Sequence, residues 1–275
     1  AAALGNLYFV WLGLLAWGTL MALDPLVSQA HGAGDREAVA RAVQRGLVRM
    51  ESIDPRSYAT DAHGTVDDRP YGGGPGMLLR VEPFATAIAA ARSRMPDGSP
   101  VIFLTPQGRR FDQTVARRLA TLPGMVLVAG RYEGFDERLI EMACDEELSL
   151  GDFVLSGGEL AAMAVIDATL RLLPGVLGDE QSAVEDSFSA GLLDHPHYTR
   201  PEVVAGRTVP GVLLAGDHEA IRRWRRKQAL GRTSLRRPEL LQGRSLTSED
   251  RRLLDEFLEE RRLGNSDGNR PLHQA

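Results

Sequence analysis

The sequence predicts an α/β fold: a mostly parallel sheet covered by helices, followed by a small C-terminal helical domain. Three observations carry this. Short apolar runs alternate with segments of helical periodicity through the middle of the chain, the runs end in glycine- or proline-containing turns, and basic residues crowd into one late segment.

Taken in order, residues 1–7 read as a dispensable leader, disordered or left by a fusion. Leu7 to Leu23 then runs seventeen residues without a charge, the bottom of the length range for a membrane span. No basic residue precedes it, as a signal peptide would require. The alternative is a buried first strand, Tyr8 to Leu14, with a packed helix after it, consistent with the aromatic and β-branched start. Further strands are predicted at Val101 to Leu104, Met125 to Val128 and Phe153 to Leu155. Helical periodicity marks Pro83 to Arg94, Phe111 to Thr121, Glu137 to Ala143 and Leu160 to Leu173. Such βαβ repetition implies parallel strands with ligand sites at their carboxyl ends.

Composition sets bounds on these choices. At 275 residues the chain can bury a core without covalent staples. Its single cysteine, Cys144, has no disulfide partner and no Cys/His companion at metal-ligand spacing, so a reducing cytoplasmic setting fits and no metal ligands are assigned. Apolar and charged fractions of 43% and 25% are those of an ordinary globular protein. With 32 basic against 37 acidic residues the net charge is −5, so overall charge does not advertise nucleic-acid binding.

The richest part of the chain is Gly130-Arg131-Tyr132-Glu133-Gly134-Phe135-Asp136-Glu137-Arg138 together with Gly151-Asp152-Phe153-Val154-Leu155-Ser156-Gly157-Gly158-Glu159. Two apolar runs end there in glycine beside carboxylates, which exposes main-chain N–H and C=O groups suited to an adenine edge and a ribose. Thr105-Pro106-Gln107-Gly108 supplies a third turn at a strand end, so the three are expected to share one site. The run Tyr71-Gly72-Gly73-Gly74-Pro75-Gly76-Met77 lacks the lysine and hydroxyl of a phosphate-binding loop.

Asp179 to Leu193 is polar and rich in small residues, and reads as a long loop of the lid or linker kind. From Asp217 to Arg244 there are nine basic residues against three acidic ones. Arg222, Arg223, Arg225, Arg226 and Lys227 form either a phosphate footprint or a solvated helix face; Trp224 among them either stacks on a base or packs inward. The domain boundaries predicted are 1–7 leader, 8–177 α/β domain, 178–195 lid or linker, 196–263 basic helical domain and 264–275 disordered tail.

Several ordered motifs then converge on one family. Val66-Asp67-Asp68-Arg69-Pro70-Tyr71-Gly72-Gly73-Gly74-Pro75-Gly76-Met77, Pro106-Gln107-Gly108-Arg109, Gly130 to Gly134, Gly151 to Glu159, Arg171-Leu172-Leu173-Pro174-Gly175-Val176-Leu177-Gly178 and His197-Tyr198-Thr199-Arg200-Pro201 resemble the bacterial tRNA (guanine-N1)-methyltransferases of the SPOUT superfamily. The resemblance covers roughly Arg41 to Phe257. It implies a homodimer whose α/β domain carries a deep trefoil knot, S-adenosylmethionine bound in that knot, Mg2+ as an optional assisting ion, and a C-terminal helical domain gripping tRNA. The implied activity is methylation at N1 of the guanosine 3′ of the anticodon in tRNAs with a preceding G. A non-catalytic tRNA-binding factor of the same fold is the alternative.

By motif, the resemblance puts the cofactor on Leu104, Thr105, Pro106, Gly130, Tyr132, Glu133, Leu150, Gly151, Asp152, Phe153, Val154, Leu155, Gly157 and Gly158. It makes Asp186 the base at N1 and Arg171 its electrostatic partner. The chain departs from the family pattern at Leu15 to Leu20, where a Phe-Pro turn is usual, and at His31 to Glu37. Phe153, Thr105 and Ala161 stand where tyrosine, serine and proline are common.

Overall fold

The computed structural model describes residues 7–12, 42–176 and 186–266. The helix expected after the first strand, the atypical segments at 15–20 and 31–37, and the last residues of the tail lie outside them. By contact density the chain divides into two units, Ala1–Glu180 and Gln181–Ala275.

The first unit is built on a five-stranded sheet in which every pairing is parallel. Its strands are β1 (Leu7–Leu12), β2 (Val48–Ile53), β5 (Val101–Arg110), β6 (Gly124–Ala129) and β7 (Glu146–Ser149), in spatial order β2-β1-β6-β5-β7. A small antiparallel pair, β3 (Asp67–Asp68) with β4 (Leu78–Leu79), stands apart. Among the described residues no helix is long and apolar enough to cross a membrane, and the apolar start of the chain supplies a strand of the sheet. Leu7, expected in the leader, is already paired with Val48.

Four helices that lie wholly within the described residues cover the sheet: α1 (Val81–Arg92), α2 (Gln113–Ala120), α3 (Glu137–Ala143) and α4 (Glu159–Leu170). Period-two alternation along the strands divides their side chains between two cores. Ile102, Leu104, Met125, Leu127 and Leu148 pack with Val115 and Leu119 of α2 and with Ala162, Val165 and Leu170 of α4. Val101, Phe103, Val126 and Val128 face the other way, onto Phe84, Ala87, Ile88 and Ala91 of α1 and Leu139 of α3. Both faces of β5 and β6 are therefore buried, which is why these strands read as continuous apolar runs. Two of the helix starts are set by aspartates: Asp112 accepts from the Val115 N–H and Asp136 from the Arg138 N–H.

One predicted strand is corrected. Phe153 to Leu155 is irregular and lies in the loop beyond β7, with Val154 86% exposed. The fifth strand is Glu146–Ser149, whose two leading carboxylates hide its strand character although Leu148 and Ser149 are buried.

In the second unit, α5 (His218–Arg236) starts at Asp217, whose carboxylate accepts from the N–H groups of Glu219 and Ala220. It pairs with α6 (Ser248–Ser266), and Leu192, Leu230 and Leu253 form the buried centre. Residues 264–266, predicted as the start of the disordered tail, belong to α6, which runs to Ser266. Residues 186–195, predicted as linker, pack onto α5: the Leu193 N–H donates to Thr233 Oγ1 at 2.9 Å and Leu192 is buried.

Candidate functional site

Three loops at the carboxyl ends of β5, β6 and β7 enclose a cavity of about 340 Å³. Its first wall is a break in pairing. Leu104 and Arg109 both lie opposite Leu148, so Thr105, Pro106, Gln107 and Gly108 are thrown out of the ladder although β5 continues to Arg110. Pro106 has no N–H to give the ladder. Gly108 lies so close to β7 that a Cβ would sit 2.5 Å from the Leu148 nitrogen.

The second wall follows β6. Tyr132 adopts φ 58° and Gly134 φ 105°, which turns the chain back so that the Glu133 N–H donates to the Met77 carbonyl at 3.0 Å and the Leu79 N–H to the Gly134 carbonyl at 2.9 Å. These bonds seat the glycine run 71–77 beside the pocket. At Gly76 a side chain would overlap the Glu133 carboxylate. The third wall, 149–158, is held to the second by an antiparallel bridge between Arg131 and Gly157 and by the Gly158 N–H, which donates to the Gly130 carbonyl at 2.8 Å. Arg131 Nε also donates to Glu159 Oε1 at 2.6 Å, and Glu159 is buried in the first turn of α4.

Leu104, Thr105, Pro106, Gly130, Tyr132, Glu133, Leu150, Gly151, Phe153, Val154, Leu155, Gly157 and Gly158 all line this cavity; Asp152 does not, and is exposed. Residues outside the assigned cofactor set also line it, among them Gln107, Phe135, Ile140, Leu148 and Ser149. Phe135 is the most consequential, since its ring stacks edge-on against Phe84 and Phe103 with centroids 5.4 and 4.9 Å away and so joins the pocket to the core. An aromatic directly after a glycine turn was the signal available for it.

The two residues assigned to chemistry lie in different units. Arg171 caps the carboxyl end of α4, its N–H donating to the Asp167 carbonyl. Asp186 opens a turn in the second unit, its carbonyl accepting from the Ser189 N–H at 3.0 Å.

Along α5 the basic cluster is largely neutralised from α6. Arg223 meets Glu256 at 2.6 Å, Lys227 meets Glu260 at 2.5 Å, and Arg226 grips Asp250 through two bonds of 2.7 and 2.8 Å. The Arg226 hydrogen bonds hold the Asp250 carboxyl below the ordinary carboxylate range, and the same bonds raise the Arg226 guanidinium. Arg222 pairs with exposed Glu219 on its own helix, and Arg225 is exposed. Trp224 is half-buried with its ring 6.4 Å from those of His195 and Tyr198, an inward packing position. His195 is pulled below the ordinary histidine range, chiefly by burial.

Fold and site together define an α/β protein with a cofactor-sized cavity at the carboxyl ends of its parallel strands and a separate basic helical unit. Residues 26–243 match the family described as tRNA (Guanine-1)-methyltransferase TrmD. The chain belongs to that family. It is 58% identical over 244 residues to the tRNA (guanine-N(1)-)-methyltransferase of Chromohalobacter salexigens, covering 85% of this chain and 91% of the relative. Identity to the protein of the same name from Halorhodospira halophila is 60% over 231 residues, or 84% and 88% of the two chains. The Sodalis glossinidius protein, also so named, is 55% identical over 251 residues, 91% of this chain and 99% of its own.

Proposed function

We propose that the protein transfers a methyl group from S-adenosylmethionine to N1 of the guanosine directly 3′ of the anticodon, in tRNAs whose preceding base is also G. The observation that supports this most is the glycine-walled cavity formed by the family's own motifs. Its walls suit that donor. Leu104, Leu148 and Leu155 give apolar surface for a base, bare main chain surrounds it, and Glu133 and Glu137 put carboxylates beside a ligand carrying cationic groups. At Gly158 a Cβ would lie 3.0 Å from the Ala129 Cα, so a side chain there would press on the β6 backbone.

Bound in this pocket, S-adenosylmethionine would supply an electrophilic methyl on a sulfonium. Asp186 accepts the weakly acidic N1 proton as N1 becomes the nucleophile, and Arg171 stabilises the negative charge that builds toward O6. In this proposal the α/β unit carries a deep trefoil knot and two copies of the chain form the working dimer. The domain limits proposed, adjusted to the packing contacts above, are 7–177 for the knotted domain, 178–185 for a lid ordered by RNA, and 186–266 for the tRNA-gripping domain. Mg2+ is kept as an assisting ion with no protein ligand assigned, and the cytoplasm is the compartment proposed.

Incubation with methyl-labelled cofactor and tRNA transcripts tests this. Label should enter transcripts with G before the target guanosine and not those with A there. Asp186→Ala should lose roughly 10²- to 10⁴-fold in turnover, the usual worth of a general base, with cofactor affinity retained. No transfer to any tRNA would favour the non-catalytic factor, and turnover of Asp186→Ala near wild type would remove Asp186 from the chemistry.

A further inference from the structure

Between the basic helix and the turn that packs on it stands a group of side chains that the proposed reaction does not use. Asp194, His195 and His197 bring one carboxylate oxygen and two imidazole nitrogens within 4.8 Å of one another. Their backbone is fixed from several sides. The Asp194 N–H donates to Ser187 Oγ, the Leu193 N–H donates to Thr233 Oγ1, both at 2.9 Å, and buried Leu192 anchors the turn.

The hydrogen bonding leaves His195 with an unprotonated ring nitrogen, whereas His197 Nε2 donates its proton to Asp194 and releases it when a cation binds. His195 Nδ1 lies 3.3 Å from the Pro196 carbonyl oxygen, which can only accept, so this nitrogen carries the ring proton. The Nε2 lone pair then faces Asp194 Oδ1 across 3.8 Å, acceptor against acceptor. A backbone carbonyl holding the far nitrogen is the usual support for a metal-bound histidine. His197 Nε2 lies 2.7 Å from Asp194 Oδ2, and its ring is 4.4 Å from that of His195. Ligand atoms about 3.3 to 3.5 Å apart are what bonds of roughly 2.0–2.2 Å at tetrahedral angles require; the 3.8 and 2.7 Å contacts run to the two different oxygens of Asp194, so its carboxylate turns to present one oxygen to the cation.

We propose that Asp194, His195 and His197 form a binding site for one late first-row divalent cation of the Zn2+ or Co2+ type. Two imidazoles and one carboxylate suit such borderline ions, whereas Mg2+ favours oxygen ligands and keeps its waters. Arg225 and Arg232 lie close enough to act on His195 and Asp194, which further disfavours an ion held by charge alone. His195 is 11% exposed and His197 70%, so the cation sits at the edge of the unit with a coordination position open to water. Bound there, it ties 194–197 into one rigid loop against Trp224 of α5.

The full chain, without any affinity tag and stripped by chelator, should take up about one Zn2+ per chain in equilibrium dialysis. Co2+ should give the intense visible bands of a low-coordinate site. His197→Gln, at an exposed position, and Asp194→Asn should each weaken uptake roughly 100-fold, as loss of a ligand does, with circular dichroism unchanged. Cys144→Ser should leave uptake intact. Absence of stoichiometric uptake, uptake unaltered by both substitutions, or displacement of Co2+ by millimolar Mg2+ would each overturn the proposal.

Discussion

Gly130→Ala is the sharpest probe of how the pocket is built. Gly130 lies outside the left-handed region, so backbone conformation does not demand glycine. Packing does: a Cβ would sit 2.6 Å from Phe135 Cε2 and 2.8 Å from Cζ, where ordinary contact begins near 3.4 Å. The ring would have to retreat by about 0.8 Å, and Phe84 and Phe103 stand behind it. Overpacking of this kind costs about 1–3 kcal/mol. Relieved by distortion of 130–135, that strain becomes roughly 5- to 150-fold weaker cofactor binding. Calorimetric titration with S-adenosylmethionine should show this loss for Gly130→Ala, and the double variant with Phe135→Leu should recover most of it. Unchanged affinity in the single variant, or an equal loss whether or not Phe135 is trimmed, would refute the reasoning and mean that the added methyl meets the ligand instead of the ring.

Arg171→Ala should cut methyl transfer by roughly 10²- to 10³-fold, the scale of a lost charge-stabilising donor, while thermal unfolding and cofactor titration stay near wild type; a collapsed melting curve would make its role structural. The folded-state pKa of Asp250 lies below its unfolded value, so the Arg226 pair stabilises fully above about pH 4 to 5 and is lost as pH falls through the folded pKa. Asp250→Asn should therefore cost about 1–2 kcal/mol at neutral pH, discounted for the partial exposure of Arg226, and acid unfolding curves should lose that step; an unchanged acid midpoint would contradict it. For tRNA binding, Arg222→Glu with Arg225→Glu should flatten the slope of log affinity against log salt by about 2 units. Arg223→Glu or Arg226→Glu should instead lower the melting temperature, because those two hold α6.

Much of the architecture was legible because Val101–Leu104 and β6 are buried on both faces and read as apolar runs, while Asp112, Asp136 and Asp217 were further signals, since each caps the helix that follows it. Glu146–Ser149 escaped because a strand of four residues that begins with two carboxylates has no alternation to read. The register break at Thr105 to Gly108 was visible only as a turn, since nothing local says that the strand resumes against the same partner. Residues of the glycine-containing turns line the cavity because each turn follows a strand, whereas Ile140, Ser149 and the contact between Arg131 and Glu159 depend on packing across the sequence. The arginine-rich stretch showed its charge plainly, but the partners of Arg223, Arg226 and Lys227 lie on a helix that begins at Ser248.

The position of β1 between β2 and β6 has a temporal consequence. A strand near the start of the sequence forms an inner rung of the sheet, and one of its partners ends 117 residues later, from Leu12 to Ala129. At synthesis rates of about 5–20 residues per second, that edge waits roughly 6–23 s on the ribosome before its neighbour emerges. During that interval, even after β2 has emerged to cover one side, the other edge of Leu7–Leu12 has no partner, and an open strand edge of this kind is what chaperones shield and nascent chains exchange by mistake.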